Sequence, residues 1–201
     1  MSFRIIQFDW LEEVIIPAID LLYSTPNDRD LIRRNANERT IVANIYCKVN
    51  AILYQMQSTN QELANLGIDI EYNRNDVNPK RVYEKCGSCQ KANCFIKERN
   101  FQLTVSSPDM IIHHRGFNDN NQAIIEFKKV SNREDDERDT DKAKLIYFTC
   151  QQPFPDHENE NYQYHIGFFI DLDIDRYFVT TYRDTHSDET ITRQGANGYD
   201  F

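Results

Sequence analysis

Residues 106–130 read SSPDMIIHHRGFNDNNQAIIEFKKV. Two apolar arms, Met110 to Arg115 and Ala123 to Val130, flank a run of turn formers from Gly116 to Gln122. That pattern predicts a hairpin. Side chains alternate along a strand, so Ile124, Glu126 and Lys128 share one face and Ile125, Phe127 and Lys129 the other. A carboxylate and an ammonium on an apolar strand cost free energy unless they are paired or bind a metal. Asp109 follows Pro108 at the mouth of the partner arm and can reach the same sheet end as Glu126. Two carboxylates there make a hard-oxygen site suited to Mg²⁺ or Mn²⁺. A nearby lysine can orient or deprotonate a water, or offset the charge of a phosphate. The set predicts metal-assisted hydrolysis of a phosphodiester. The bland alternative makes Glu126 and Lys128 a cross-strand surface pair.

Upstream, residues 9–23 carry Trp10, Val14, Ala18, Leu21 and Leu22 at helical spacing, with Pro17 expected to kink or restart the helix. A polar break follows from Ser24 to Asp30. A long helix is predicted from Asn37 to Gln57, with Ile41, Val42, Ile45, Val49, Ile52, Leu53 and Met56 as its buried stripe. Glu38 precedes Ile41 and Val42 by three and four residues, so it projects from the same side. Ile68 to Arg74 alternates as a strand, with Asp69 and Glu71 expected on its solvent face. Residues 75–102 are polar, basic and cysteine-bearing, and read as an insertion. Downstream, Glu134 to Asp141 reads as an acidic loop, with Asp139 or Thr140 capping a helix through Lys142, Leu145, Ile146 and Thr149. Two strands are predicted at Tyr164 to Leu172 and Arg176 to Arg183. Residues 186–201 read as a polar tail. The order implies a single α+β domain over 1–201: a mixed sheet with helices against it, preceded by a helical extension over 1–36.

Pro108-Asp109 followed by Glu126-Phe127-Lys128 resembles the signature of the PD-(D/E)xK nucleases, the restriction-endonuclease-like superfamily. The runs NERTIVANIY, IEYNR, PDMIIHHRG and IIEFKK are also similar to ERTIVHRL, EYNR, PDIIVHRRG and IEVKK in a group of small uncharacterised bacterial proteins. This likeness covers about residues 37–172. Ala43 stands where the first motif usually has His, so no role for that position carries over. The resemblance implies a restriction-endonuclease-like fold and a metal-dependent endo- or exonuclease, with DNA the favoured substrate. It implies that Asp109, Glu126 and the Phe127 carbonyl bind Mg²⁺ or Mn²⁺, that Glu38 steadies the metal or its water, and that Lys128 handles the attacking water. It also suggests a setting in phage defence or mobile-element biology. Two alternatives remain: a catalytically silent nuclease-fold interaction module, and a nuclease acting on RNA.

The net charge is -9, which argues against a nucleic-acid coat protein. Residues 80–99 nevertheless hold six Lys/Arg against two Glu, a local +4 that suits phosphate. Substrate contacts are expected from Tyr72, Arg74, Arg115 and Lys142, with Lys144 as a second candidate on the same helix. Arg115 can instead close an ion pair. Cys86, Cys89 and Cys94 have the spacing of a zinc knuckle lacking its last ligand, for which Cys47, Cys150, His113 and His114 are candidates. The alternative is three free thiols. Glu12 and Glu13 interrupt the N-terminal apolar run, no stretch reaches a membrane-spanning length, and five cysteines suggest a reducing compartment. A cytoplasmic protein without membrane contact is therefore expected. The N-terminal helix is the expected contact for a protein partner or a second copy of the chain.

Overall fold

The computed structural model describes residues 8–71, 74–75, 78–79, 107–117, 120–132, 134–151, 162–183 and 186–194. Tyr72, the Arg74 side chain, nearly all of the insertion and its three cysteines lie outside the described residues. The chain opens with a π-turn at Leu11–Ile15 that runs into α1 (Ile16–Ser24), and α2 (Pro26–Arg33) and α3 (Glu38–Gln57) follow. The strands are β1 (Gly67–Ile70), β2 (Arg74–Asn75), β3 (Asn78–Pro79), β4 (Met110–His113) and β5 (Asn121–Lys129). Helix α4 (Asp135–Thr149) leads to β6 (Ile166–Leu172), β7 (Arg176–Arg183) and β8 (His186–Gln194). Six strands form one sheet in the order β1-β4-β5-β6-β7-β8, and β2 pairs with β3 apart from it. Among the described residues only β5 and β6 run parallel; the other described pairings in the main sheet are antiparallel. This is a mixed α+β architecture, as expected from the sequence.

Alternation along β5 divides the core. Ala123, Ile125 and Phe127 pack with Trp10, Val14, Leu22, Ile41, Val49 and Leu53 on the face covered by α1 and α3. Ile124 packs with Ile111, Leu145, Phe148 and Phe169 on the face covered by α4. Gly167 permits that second layer: a Cβ there would lie 3.2 Å from Thr149 Cγ2 and 3.4 Å from Leu145 Cβ. No described helix is long and apolar enough to cross a membrane.

Four expectations need correcting. The stretch expected as a polar break, Ser24 to Asp30, carries most of α2, because Thr25 is extended, Pro26 supplies a preset φ at N1 and Asp28 sits in the first turn. The acidic run 134–141 is helical from Asp135, with Asp135, Asp136 and Glu137 complementing the positive end of α4. Residues 186–194 of the polar tail form β8, since β7 offers a ladder of backbone groups whatever the side chains. On the N-terminal helix Trp10, Val14, Ala18 and Leu22 are buried in the chain's own core, but Leu21 of the expected stripe is exposed. Pro17 acts as the sequence suggests. Lacking an N–H and crowding the carbonyl four residues back, it follows a widened π-turn.

Candidate active site

The register of β4 and β5 sets the first contact. Met110 pairs with Ile125, so Asp109, one residue before β4, falls opposite Glu126. Asp109 Oδ2 accepts the Phe127 amide hydrogen at 2.8 Å, which continues the ladder by a side chain where β4 has stopped. In extended chain a residue's N–H and C=O lie on the same side, so the Phe127 carbonyl faces this strand end too.

A loop brings the third carboxylate. Asn35 closes α2 with a φ of 53°, which Asn tolerates. Lys129 Nζ donates to Asn35 Oδ1 (2.7 Å) and to the Ala36 carbonyl (2.9 Å). Asn37 then caps α3 by accepting the Arg39 amide hydrogen at 2.9 Å. These bonds fix the start of α3 against the end of β5, and Glu38 Oε1 comes 3.3 Å from Lys128 Nζ.

Helix α4 closes the site from the other layer. Glu137, Asp141 and Lys144 follow at intervals of four and three, on one face. Asp141 Oδ2 is 3.0 Å from Lys128 Nζ and its Oδ1 is 2.5 Å from Lys144 Nζ. Glu137 Oε2 lies 3.9 Å from Lys128, and Lys144 Nζ lies 3.6 Å from Glu126 Oε1. Asp141 and Lys144 are functional candidates that the sequence reading left out of the site or ranked behind Lys142. A signal existed: counting back four from Leu145 and Phe148 gives Asp141 and Lys144, so the polar pair continues the apolar stripe. Reading the acidic run as a loop hid it.

Glu126 is only 2% exposed, and its Oε1 accepts no hydrogen bond. Burial, and next the Asp109 charge, push its carboxyl well above the usual range, against the pull of Lys144. Burial likewise lifts Asp109 to about 6, helped by Asp141 and Glu38 and opposed by the Phe127 amide and Lys128. Burial alone would lower Lys128 and Lys144. Asp141 and Glu38 instead hold Lys128 above the ordinary lysine value, and Glu126 and Asp141 do the same for Lys144. Lys128 is thus a cation in this state, fitted to orient a water or meet a phosphate rather than to remove a proton. Asp109 and Glu38 line a cleft of about 280 Å³ with Arg39, Val42, Ile70 and Glu71. Lys128 and Asp141 line a second, of about 400 Å³, with Asp136, Glu137 and Thr140.

The chain was compared with protein-family models, curated proteins and solved structures. None matches.

The other residues named from sequence lie elsewhere. Arg115 closes its ion pair. Nε and Nη2 sit 2.8 and 2.7 Å from the two Asp69 carboxylate oxygens, and Nη2 donates to the Ile68 carbonyl at 2.9 Å. His113 Nε2 lies 2.8 Å from the same carboxylate, so Asp69 is no solvent-face residue. His114 stacks on Phe117 at the hairpin turn. Lys142 stands over the Phe169 ring at 5.3 Å, beside Arg138 and turned from the acidic cluster, because it falls two residues before Lys144 on the helix. Among the zinc-ligand candidates that are described, Cys150 is buried and Cys47 exposed.

Among the described residues, no three His, Cys, Asp or Glu side chains are arranged to hold an ion together. The pair Asp109 and Glu126 still suits Mg²⁺ or Mn²⁺. Mg²⁺ keeps much of its water and takes one or two protein carboxylates. The unbonded Oε1 of Glu126 is an oxygen left for such a ligand. Glu38, Asp109, Glu126, Glu137 and Asp141 crowd around two ammonium groups, Lys128 and Lys144, an acidic setting that a divalent ion would favour.

Proposed function

We propose that the protein is a metal-dependent nuclease of the PD-(D/E)xK type, cutting phosphodiester bonds, with DNA the favoured substrate. The observation that carries this reading is the Asp109–Glu126 pair: two carboxylates opposed across a strand pair, both raised by burial, one with an unbonded oxygen, with Lys128 beside them. Such an arrangement costs stability in the empty protein, and a structural ion pair has no need of it. Asp109, Glu126 and the Phe127 carbonyl would hold Mg²⁺ or Mn²⁺. Bound there, the ion supplies Lewis-acid activation of the phosphodiester and its attacking water. Lys128, fixed between Glu38 and Asp141, orients the water and offsets charge on the phosphate.

A second reading treats the cluster as an internal ion network in a non-cutting module. It is favoured by the pairing of both lysines with carboxylates. Incubation of the protein with single- and double-stranded DNA and RNA, with Mg²⁺, Mn²⁺ or EDTA, decides between the two. Metal-dependent cleavage is expected. Intact substrates under every condition support the module.

A further inference from the structure

The signature assigns nothing to Lys144. Its Nζ lies 3.6 Å from the unbonded Oε1 of Glu126 and 2.5 Å from Asp141 Oδ1. Glu126 is 2% exposed and Asp141 6%. Lys144 comes from the helix over this face of the sheet, opposite in origin to Glu38 on α3. Lys128 sits between Asp141 and Glu38, so the two ammonium groups flank Asp141. The acidic cluster therefore has one side occupied by a tethered cation.

We infer that Lys144 is a built-in counter-cation for Glu126 and Asp141 that limits the site to a single divalent ion. The inference deepens the metal-dependent reading and rests on it. Physically, a fixed positive charge beside a carboxylate pair both neutralises one negative charge and repels a second ion. Removing Lys144 takes a positive charge from beside Glu126 and Asp141, which favours a second ion or a tighter first one.

The test is calorimetric Mn²⁺ titration of the 201-residue chain, in three forms: unaltered, Lys144→Gln and Lys142→Gln. Each variant loses one positive charge from α4, but only Lys144 faces the cluster. The unaltered protein is expected to bind one Mn²⁺. Lys144→Gln is expected to bind a second ion, or the first about tenfold more tightly. Lys142→Gln should match the unaltered chain. Two ions in the unaltered protein overturn the inference without any variant. Equal stoichiometry and affinity in Lys144→Gln and the unaltered chain also overturn it, while leaving the proposed nuclease standing. No ion in any form overturns both.

Discussion

The two ends of β4 hold carboxylates of opposite character. The C-terminal end reaches across to Asp69 of β1, whose Cα pairs with Ile111: His113 and both donors of Arg115 meet that carboxylate. Burial would raise its carboxyl, yet those hydrogen bonds keep it below the usual range. Gly67 leaves room for the arrangement, since a Cβ there would come 3.0 Å from Arg115 Nε. At the N-terminal end, Asp109 has one amide donor and two carboxylate neighbours that oppose its charge, and it is held near 6. One end spends its charged groups on holding strands together. The other keeps negative charge crowded and incompletely met. A half-buried acid is therefore a poor guide to function until its partners are known.

The largest expected difference between the two ends is in activity. Glu126→Gln or Asp109→Asn should reduce metal-dependent cleavage about a thousandfold or more, as expected for groups acting on the reacting atoms. Asp69→Asn should leave it within a few-fold. Initial cleavage rates at saturating Mn²⁺ measure this. Comparable losses at both ends would break the contrast.

Next in size is stability against pH. The folded Asp109 carboxyl titrates near 6 against an ordinary 3.8, so the folded state binds the proton more tightly. Its favourable contribution is complete below about pH 4 and is lost as pH rises through 6. Asp109→Asn should therefore stabilise the metal-free protein at pH 7 by about 3 kcal/mol, an advantage that fades on acidification to pH 4. Asp69 has the opposite sign. Its contribution is present above pH 4 and is lost as pH falls through its lowered value. Asp69→Asn should thus destabilise at pH 7. Urea unfolding from pH 4 to 8 checks both, and a destabilised Asp109→Asn at pH 7 would make that end structural as well.

Smaller effects sharpen the roles within each end. Asp141→Asn should cost cleavage about 10–100-fold, because Asp141 positions Lys128 and Lys144 rather than touching substrate. Its Mn²⁺ affinity should change less than that of Asp109→Asn. Lys128→Ala should lose most cleavage while keeping Mn²⁺ affinity near the unaltered value, and equal loss of affinity would show that its role is wrongly assigned. The smallest change is expected for Arg115→Ala, about 1 kcal/mol of stability with cleavage retained, read from thermal or urea unfolding.

Local pattern carried much of this molecule. Two-residue alternation put Glu126 and Lys128 on one face of β5, Pro108-Asp109 marked the mouth of β4, and the stripe from Ile41 to Leu53 set the buried side of α3. These readings depend on neighbours within a few residues, where backbone geometry dictates direction. Tertiary structure alone decided which charges meet. Asp69 and Arg115 are far apart in sequence and became partners through the β1–β4 register. Lys142 and Lys144 are chemically identical and two residues apart, yet a rotation of about 200° around the helix sends one to Phe169 and the other to Glu126. Only packing of α4 on the sheet fixes which of them points at the acids. A carboxylate is raised or lowered by groups brought to it from distant segments, and that sum exists only in the folded chain.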